Sequence, residues 1–285
     1  MSLIWPACRR ASGGYHDAAM QLLFSTGYPR ADHALALIVS EFEAVAPNQL
    51  RIVLLGSYAS GKAHEASDLD LIVLFGQELS DDVKERAETL ANGIARKITL
   101  DVDIAVCGTD DCPPVWAVAL TAGRTVYGDA SISPALPTAD EYAAALTADV
   151  RSLVQSLRPG QLLSSPLQAP NQSLPLLGYE AKPLRSADGA WSPSTKALSM
   201  IAYWGASALI ARRAGKFTPS RDDVIEIYRQ EIGDDWTDLL VEIDRVCREE
   251  YSYAIPPDEE GCASVRALAE RVLEFENYLL GALSA

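Results

Sequence analysis

The chain has 285 residues, of which 48% are hydrophobic, and this is enough to bury a core in each of two domains. Its most apolar stretch, residues 198–211, is interrupted by polar side chains, and no apolar segment follows Arg9 and Arg10. These features argue against a membrane span and against export. The net charge of −15 disfavours nucleic acid as a partner, because proteins bind a polyanion through basic patches.

The cysteines indicate the compartment. They stand at positions 8, 107, 112, 247 and 262, with neither a CxxC pair nor the spacing of a zinc site. We therefore expect reduced thiols in a cytoplasmic protein.

The first half of the chain predicts an α/β or α+β domain. Helical spacing runs from about His16 to Ala46, and short apolar runs at 51–56, 69–75 and 98–106 predict three strands. Between the last two strands a helix extends from Ser80 through Lys97, and another is predicted near 115–122. This order predicts a small mixed sheet in a domain that closes near Gly128.

The second half predicts helices. A helix from about Thr138 to Leu157 ends at Pro159-Gly160, and the six prolines of 159–193 predict a long surface loop. Helical patterns follow at 194–214, 218–232, 236–248 and 262–280. We divide the chain into an N-terminal domain (1–130), a connecting helix and loop (131–193) and an all-α domain (194–285).

The segment between the first two predicted strands carries the chemistry. Gly56 lets the backbone approach a phosphate, and Ser57 offers a hydroxyl and an amide as donors. Asp68 and Asp70 are two residues apart at the start of a strand, so both carboxylates lie on one face. Such a pair is typical of a Mg²⁺ site, in which substrate phosphates and water complete the coordination.

The third predicted strand offers a further carboxylate. Asp101 and Asp103 share a face of this otherwise apolar strand. One of them is expected to bind the metal ion and to act as general base for an acceptor hydroxyl. Asp101 is slightly favoured because a run of apolar residues with one polar position follows it, and Asp103 stays an alternative.

A Gly-Ser pair, ten residues, a DxD motif and a further acidic strand together resemble the nucleotidyltransferase superfamily, which includes DNA polymerase beta. The resemblance spans about residues 49–106. It implies nucleotidyl transfer from an NTP, with roles for Gly56, Ser57, Asp68, Asp70 and one of the two later aspartates. The helical half looks similar to the two-domain aminoglycoside adenylyltransferases, in which a helical domain closes over nucleotide and antibiotic. The proline-bearing insertion departs from that layout.

Four cationic residues are candidates for binding the triphosphate. Lys62 lies in the predicted phosphate loop, while Lys196, Lys216 and Arg221 lie at or near helix starts in the second domain. A solvated loop position is the alternative for Lys62, and ordinary surface ion pairs are the alternative for the other three.

These features predict an enzyme that transfers a nucleoside monophosphate, AMP from ATP, to a hydroxyl of a small molecule. An aminoglycoside-like antibiotic is the best single candidate acceptor, which implies a role in antibiotic resistance. Two alternatives stay open: the same chemistry on a protein or tRNA acceptor, and a nucleotide-binding regulator without catalysis. The sequence also leaves open whether a homodimer forms.

Overall fold

The computed structural model describes residues 22–45, 49–63, 67–76, 80–97, 100–163, 165–185 and 191–284. The strands are β1 (Leu50–Leu54), β2 (Leu69–Phe75), β3 (Val102–Gly108), β4 (Arg124–Gly128), β5 (Pro183–Arg185) and β6 (Trp191–Pro193). The α-helices are α1 (Pro29–Glu43), α2 (Gly56–Ser60), α3 (Asp81–Lys97), α4 (Pro114–Ala119), α5 (Ala139–Leu157), α6 (Lys196–Ala214), α7 (Arg221–Glu231), α8 (Trp236–Ile243) and α9 (Glu259–Ser284). A 3₁₀ turn at Tyr179–Ala181 and a π-helical segment at Asp244–Glu250 complete the described elements.

The N-terminal domain is built on a four-stranded mixed sheet in the order β3-β2-β1-β4. β1 is antiparallel to both β2 and β4, whereas β2 and β3 run parallel and are connected through α3. A parallel pair needs such a crossover, because its strands begin at the same edge of the sheet. The predicted fold class, a small mixed sheet followed by a helical domain, is confirmed.

Helices cover the sheet on one side and α4 with neighbouring loops covers the other. Side chains of α1 and α3 pack with Leu54, Leu71 and Val73 in one core, while Val53 and Ile72 face a smaller cluster on the opposite side. Because both faces are covered, β2 is apolar along nearly its whole length, apart from Asp70 near its start. That exception places a carboxylate at the edge of the sheet where β2 begins.

The helical domain is centred on α6. This helix is buried on nearly all sides, between α5 and α9, as expected for a helix with apolar residues around its whole circumference. Gly205 allows the close approach of α9, because a Cβ at this position would lie 2.2 Å from Leu279 Cδ1. The buried side of α5 belongs to this helical core and includes Leu146, Val150 and Val154.

A buried ion pair fastens the loop after α5 to α9. Arg158 donates to both carboxylate oxygens of Glu276, at 2.5 and 3.3 Å, and Tyr179 donates to the same carboxylate at 2.7 Å. Burial raises the pKa of Glu276 to about 7, although Arg158 and the hydrogen bonds act in the opposite direction. These three residues fix the path of the proline-bearing segment over the helical core.

Several elements differ from the sequence-based expectations. The strand β4 and the hairpin of β5 and β6 were not predicted, and the hairpin lies inside the segment expected to be a loop. The third strand begins at Val102 rather than at residue 98, and Gly56 begins a short helix instead of ending a strand. Of the helical pattern predicted before Pro29, residues 16–21 lie outside the described residues, and residues 22–28 are not helical.

Two further observations concern the described part of the chain. None of its helices is long and apolar enough to cross a membrane. Cys107, Cys112, Cys247 and Cys262 are free thiols.

Candidate active site

Three carboxylates meet at the edge of the sheet where β2 and β3 begin. Asp70 lies directly opposite Asp103 in the parallel register, and Asp68 precedes Asp70 by two residues. Residues at i and i+2 of an extended segment, and residues opposite each other on neighbouring strands, project from the same face of a sheet. The backbone pairing therefore brings together carboxylates from two strands.

The electrostatics of Asp70 reflect this crowding. Burial, and after it the negative charges of Asp68 and Asp103, raise the pKa of Asp70 to about 8, against the opposing effect of Lys196 and Arg221. Like charges close together in a poorly solvated place disfavour ionisation. The cluster therefore needs positive charge to hold three ionised carboxylates.

Asp101 occupies a different position from Asp103. It stands just before β3, and its carbonyl oxygen accepts a hydrogen bond of 2.8 Å from the Leu69 amide. Asp103, not Asp101, is the partner of Asp70 in the register and one of the charges that act on it. Of the two alternatives that the sequence left open, the geometry favours Asp103 as the third carboxylate.

Gly56 lies directly beside Asp70. Its φ of +63° is in the left-handed region, and a Cβ at this position would lie 2.4 Å from Asp70 Oδ2. Only glycine satisfies both conditions without strain. The Leu55 amide also donates to the Asp70 carbonyl oxygen at 2.9 Å, which fixes the start of α2 against the carboxylate edge.

Ser57 follows in the first turn of α2 and is half-buried. Its carbonyl oxygen accepts a hydrogen bond of 2.9 Å from the Lys62 amide, which closes the turn after the helix. Gly56 and Ser57 are thus part of a tight turn at the carboxylate edge, where the sequence placed a phosphate loop.

The helical domain contributes cations to the same edge. Lys196, at the first position of α6, places its ammonium 2.9 Å from Asp68 Oδ2. Arg221, at the first position of α7, acts electrostatically on both Asp68 and Asp70. Both residues were predicted from their places at helix starts, and the structure brings both to the carboxylates.

Aromatic side chains hold the Arg221 guanidinium in place. It lies 4.7 Å from the ring centroid of Tyr203 and 5.5 Å from that of Tyr253, and it donates a hydrogen bond to the Tyr253 hydroxyl. Tyr203 in turn donates to Asp244 at 2.8 Å. Cation–π contacts stabilise a desolvated guanidinium more than an exposed one. Together with the hydrogen bond to Tyr253, the two ring contacts fix the orientation of the Arg221 guanidinium.

An ion-pair network extends from this arginine toward the phosphate-loop side. Asp222 accepts from Lys62 at 2.6 Å and from Arg248 at 3.1 Å, and Arg248 also contacts Asp244. Lys62 therefore reaches the helical domain rather than the carboxylates. Sequence reasoning missed Arg248 and Tyr253, because no local spacing links them to the motifs of the first domain.

Lys216 takes a different direction from the other predicted cations. Its ammonium lies 2.6 Å from Glu231 at the last position of α7. Arg221 lies at the opposite end of this helix, about 15 Å away at the helical rise of 1.5 Å per residue. The structure therefore groups Lys196 and Arg221 with the carboxylates and leaves Lys216 with an ion pair inside the helical domain.

The carboxylate edge fits an ion that takes only part of its coordination from protein. Within the described residues no group of three or more His, Cys, Asp or Glu side chains is placed so that it could hold a metal ion by itself. Mg²⁺ needs no such enclosure, because it binds through one or two carboxylates and keeps water and substrate phosphates as its other ligands. Asp68, Asp70 and Asp103 supply the hard oxygen donors that this ion prefers.

Comparison with known families identifies the first domain. Residues 35–120, less than a third of the chain, match a family described as a nucleotidyltransferase domain. The chain contains a nucleotidyltransferase domain. The matched range of this domain includes α2 and all three carboxylates of the sheet edge.

Solved structures show weaker similarity. A spectinomycin adenyltransferase AAD(9) from Enterococcus faecialis, with ATP and spectinomycin, is 12% identical, with 85% of this chain and 98% of that chain covered and a TM-score of 0.46. A toxin-antitoxin complex with AMP-PNP is 22% identical, with 44% and 90% covered and a TM-score of 0.27. A tri-AMPylated Shewanella oneidensis HEPN toxin with MNT antitoxin is likewise 22% identical, with 44% and 90% covered and a TM-score of 0.26. No curated protein matches the chain.

Proposed function

We propose that this protein transfers a nucleoside monophosphate, AMP from ATP, to a hydroxyl of a small molecule. The observation that carries the proposal is the grouping of three carboxylates at the start of β2 and β3, with Gly56 beside Asp70 and cations of the helical domain at the same edge. The carboxylates suit a divalent ion, and the cations suit a polyphosphate. Together they match the two charged halves of a metal–nucleotide complex.

We take the proposed metal ligands from Asp68, Asp70 and Asp103, of which one or two would contact the ion while water and phosphate oxygens complete its coordination. When bound, Mg²⁺ supplies positive charge that offsets the negative charge developing on the α-phosphate and the leaving pyrophosphate. The raised pKa of Asp70 supports this role, because a cation in contact with the cluster removes the repulsion that keeps this carboxyl protonated.

The other residues bind and orient the reactants. The amide and hydroxyl of Ser57, beside the side-chain-free surface of Gly56, donate to phosphate oxygens. Lys196 and Arg221 neutralise the triphosphate from the helical domain. Asp103 lies on β3, the outer strand of the sheet, and its side chain is exposed. We assign to its carboxylate the proton of the attacking hydroxyl, because an exposed carboxylate is open to an incoming acceptor.

The charge of the protein bears on the acceptor. A net charge of −15 attracts polycations and repels nucleic acids, which supports a small cationic acceptor of the aminoglycoside type over a tRNA. The acceptor would lie between the two domains, because the proposed nucleotide contacts come from both. This location suits a compact molecule better than the surface of a folded protein.

Pyrophosphate release tests the proposal. The protein is assayed with ATP, Mg²⁺ and a panel of acceptors that includes aminoglycosides, neutral sugars and tRNA, and ATP binding is measured separately by calorimetry. Asp70→Asn should reduce turnover by roughly the 10²- to 10³-fold that loss of one preorganised electrostatic group costs. Asp149→Asn, in α5, is the matched control and should leave turnover unchanged.

Each alternative gives a different result. Turnover with tRNA alone would replace the small-molecule acceptor. Binding of Mg²⁺ and ATP without turnover on any acceptor would indicate a regulator, and full activity of the Asp70→Asn variant would remove Asp70 from the site.

A further inference from the structure

A lysine of the helical domain is in direct contact with one of the carboxylates. Lys196 Nζ lies 2.9 Å from Asp68 Oδ2, and the two residues are 128 positions apart in the chain. The Lys196 side chain is 17% exposed, compared with 51% and 57% for Lys216 and Lys62 in their ion pairs. The ammonium therefore occupies a position between the domains and not on the open surface.

Hydrogen bonds of the neighbouring residues fix the backbone of Lys196 in this position. The Lys196 amide donates to Ser194 Oγ at 3.2 Å, and Ser194 Oγ donates to the Lys182 carbonyl oxygen at 2.6 Å. The Thr195 amide donates to the Tyr253 carbonyl oxygen at 2.9 Å, and Ser194 pairs with Ala254 as an isolated bridge. Ser194 and Thr195 are fully buried. This support makes the position of Lys196 a property of the fold.

The contact has a consequence for metal binding. Asp68 is one of the proposed metal ligands, and a carboxylate oxygen in contact with an ammonium presents less negative charge to a second cation. An ammonium and a divalent ion at the same oxygen also repel each other. The lysine and the metal therefore compete for Asp68 as long as nothing else attracts the lysine.

We propose that Lys196 is a resident cation that occupies Asp68 in the nucleotide-free protein and moves to the nucleotide phosphates when they bind, so that metal and nucleotide bind cooperatively. This inference rests on the proposed function, because it takes Asp68 as a metal ligand and a polyphosphate as the substrate. Its physical basis is an exchange of partners. The phosphates supply the negative charge that draws Lys196 away, and Asp68 is then released to the metal.

Cooperativity of this kind is reciprocal. If nucleotide raises the affinity for the metal by some factor, the metal must raise the affinity for nucleotide by the same factor. The exchange also keeps the three carboxylates partly neutralised at every stage, which relieves the repulsion acting on Asp70. Metal without nucleotide should bind weakly, although three carboxylates are present.

Binding of Mn²⁺ chloride to the full-length protein, followed by electron paramagnetic resonance, tests the proposal. Affinity is measured without nucleotide, and then with ATP, for the wild type and for Lys196→Met. The variant should bind Mn²⁺ alone at least tenfold more tightly than the wild type, and the gain in affinity on adding ATP should shrink at least tenfold. Repeating the measurement in 0.5 M KCl screens long-range effects but not the direct contact.

Two further variants make the test specific. Lys196→Arg keeps a cation at Asp68 and should bind Mn²⁺ as the wild type does. Lys84→Met removes a lysine from another ion pair, with Asp111 at 3.7 Å near the far end of β3, and should also match the wild type. Circular dichroism and thermal unfolding establish that each variant is folded, and Lys196→Gln replaces the methionine variant if that one is not.

The outcomes separate this inference from the proposed function. If the wild type binds Mn²⁺ in the presence of ATP but the Lys196→Met variant binds Mn²⁺ alone no more tightly than the wild type, the exchange is refuted and the metal site stands. If no form of the protein binds Mn²⁺, with or without ATP, the metal site and the exchange both fail. Equal tightening in the Lys84→Met variant would also refute the exchange, because the effect would then be one of net charge.

Discussion

Replacing Gly56 by alanine tests the proposed site with the smallest change, a single methyl group. At a φ of +63°, an alanine costs about 1–2 kcal/mol in backbone strain. The added Cβ would also lie 2.4 Å from Asp70 Oδ2, so the carboxylate must move by about 1 Å to reach an ordinary contact distance. A displacement of about 1 Å in a catalytic group can lower turnover by about a hundredfold.

Gly61 provides a matched control in the same turn. Its φ is +73°, so Gly61→Ala introduces the same kind of strain, but nothing lies within 4 Å of the added Cβ. Both variants should lose about 1–2 kcal/mol of stability in urea unfolding. Only Gly56→Ala should lose about a hundredfold in pyrophosphate release and bind Mn²⁺ more weakly in the presence of ATP. Turnover of Gly56→Ala equal to that of Gly61→Ala would refute the placement of Asp70 at the reacting centre.

Three other predictions concern charged groups. Glu276→Gln should lower the free energy of unfolding in urea by about 3–5 kcal/mol, because it leaves Arg158 buried without its counterion. Glu242→Gln, in a more exposed ion pair, should lower it by less than about 1 kcal/mol. Equal losses in the two variants would contradict this reasoning. Without metal, in EDTA, the pKa of Asp70 in the folded protein is about 8, against an ordinary value of 3.8. The contribution of this group to folding stability is therefore fully present below pH 3.8 and is lost as the pH rises to 8. Asp70→Asn should therefore exceed the wild type in stability at pH 8 by more than about 1.4 kcal/mol, the equivalent of one pKa unit, with no gain below pH 4; a pH-independent difference would contradict this. Lys62→Met should change stability by less than about 1 kcal/mol, because both side chains of its ion pair are substantially exposed, and a larger loss in the same assay would show that the pair holds the domains together.

Elements with strong local patterns were predicted well. β2 spans the predicted residues 69–75, and α5 begins after Thr138, whose side chain accepts from the Glu141 amide while Glu141 accepts from the Thr138 amide. α7 begins after Ser220, within the predicted Thr-Pro-Ser start. Periodicity and capping are short-range signals, and they identify such elements without knowledge of the fold.

The elements that were missed depend on distant partners. β4 is five residues long and exists as the neighbour of β1, to which it pairs with a register shift. β5 and β6 are three residues each and form a hairpin that has no strong apolar alternation. Strands this short gain their hydrogen bonds only from pairing, so their own sequence carries little signal.

The candidate site likewise contains some relations that local sequence predicts and others that depend on contacts between distant segments. The sequence by itself determined that Asp68 and Asp70 share a face, and that a glycine and a serine precede them at a turn, because these relations depend on backbone geometry over a few residues. Only the tertiary structure decided that Asp103 stands opposite Asp70, that Lys196 reaches Asp68 across 128 positions of the chain, and that Lys216 turns away to Glu231. The register of a parallel pair and the packing of two domains are set by contacts between distant segments, and no local pattern in the chain encodes those distances.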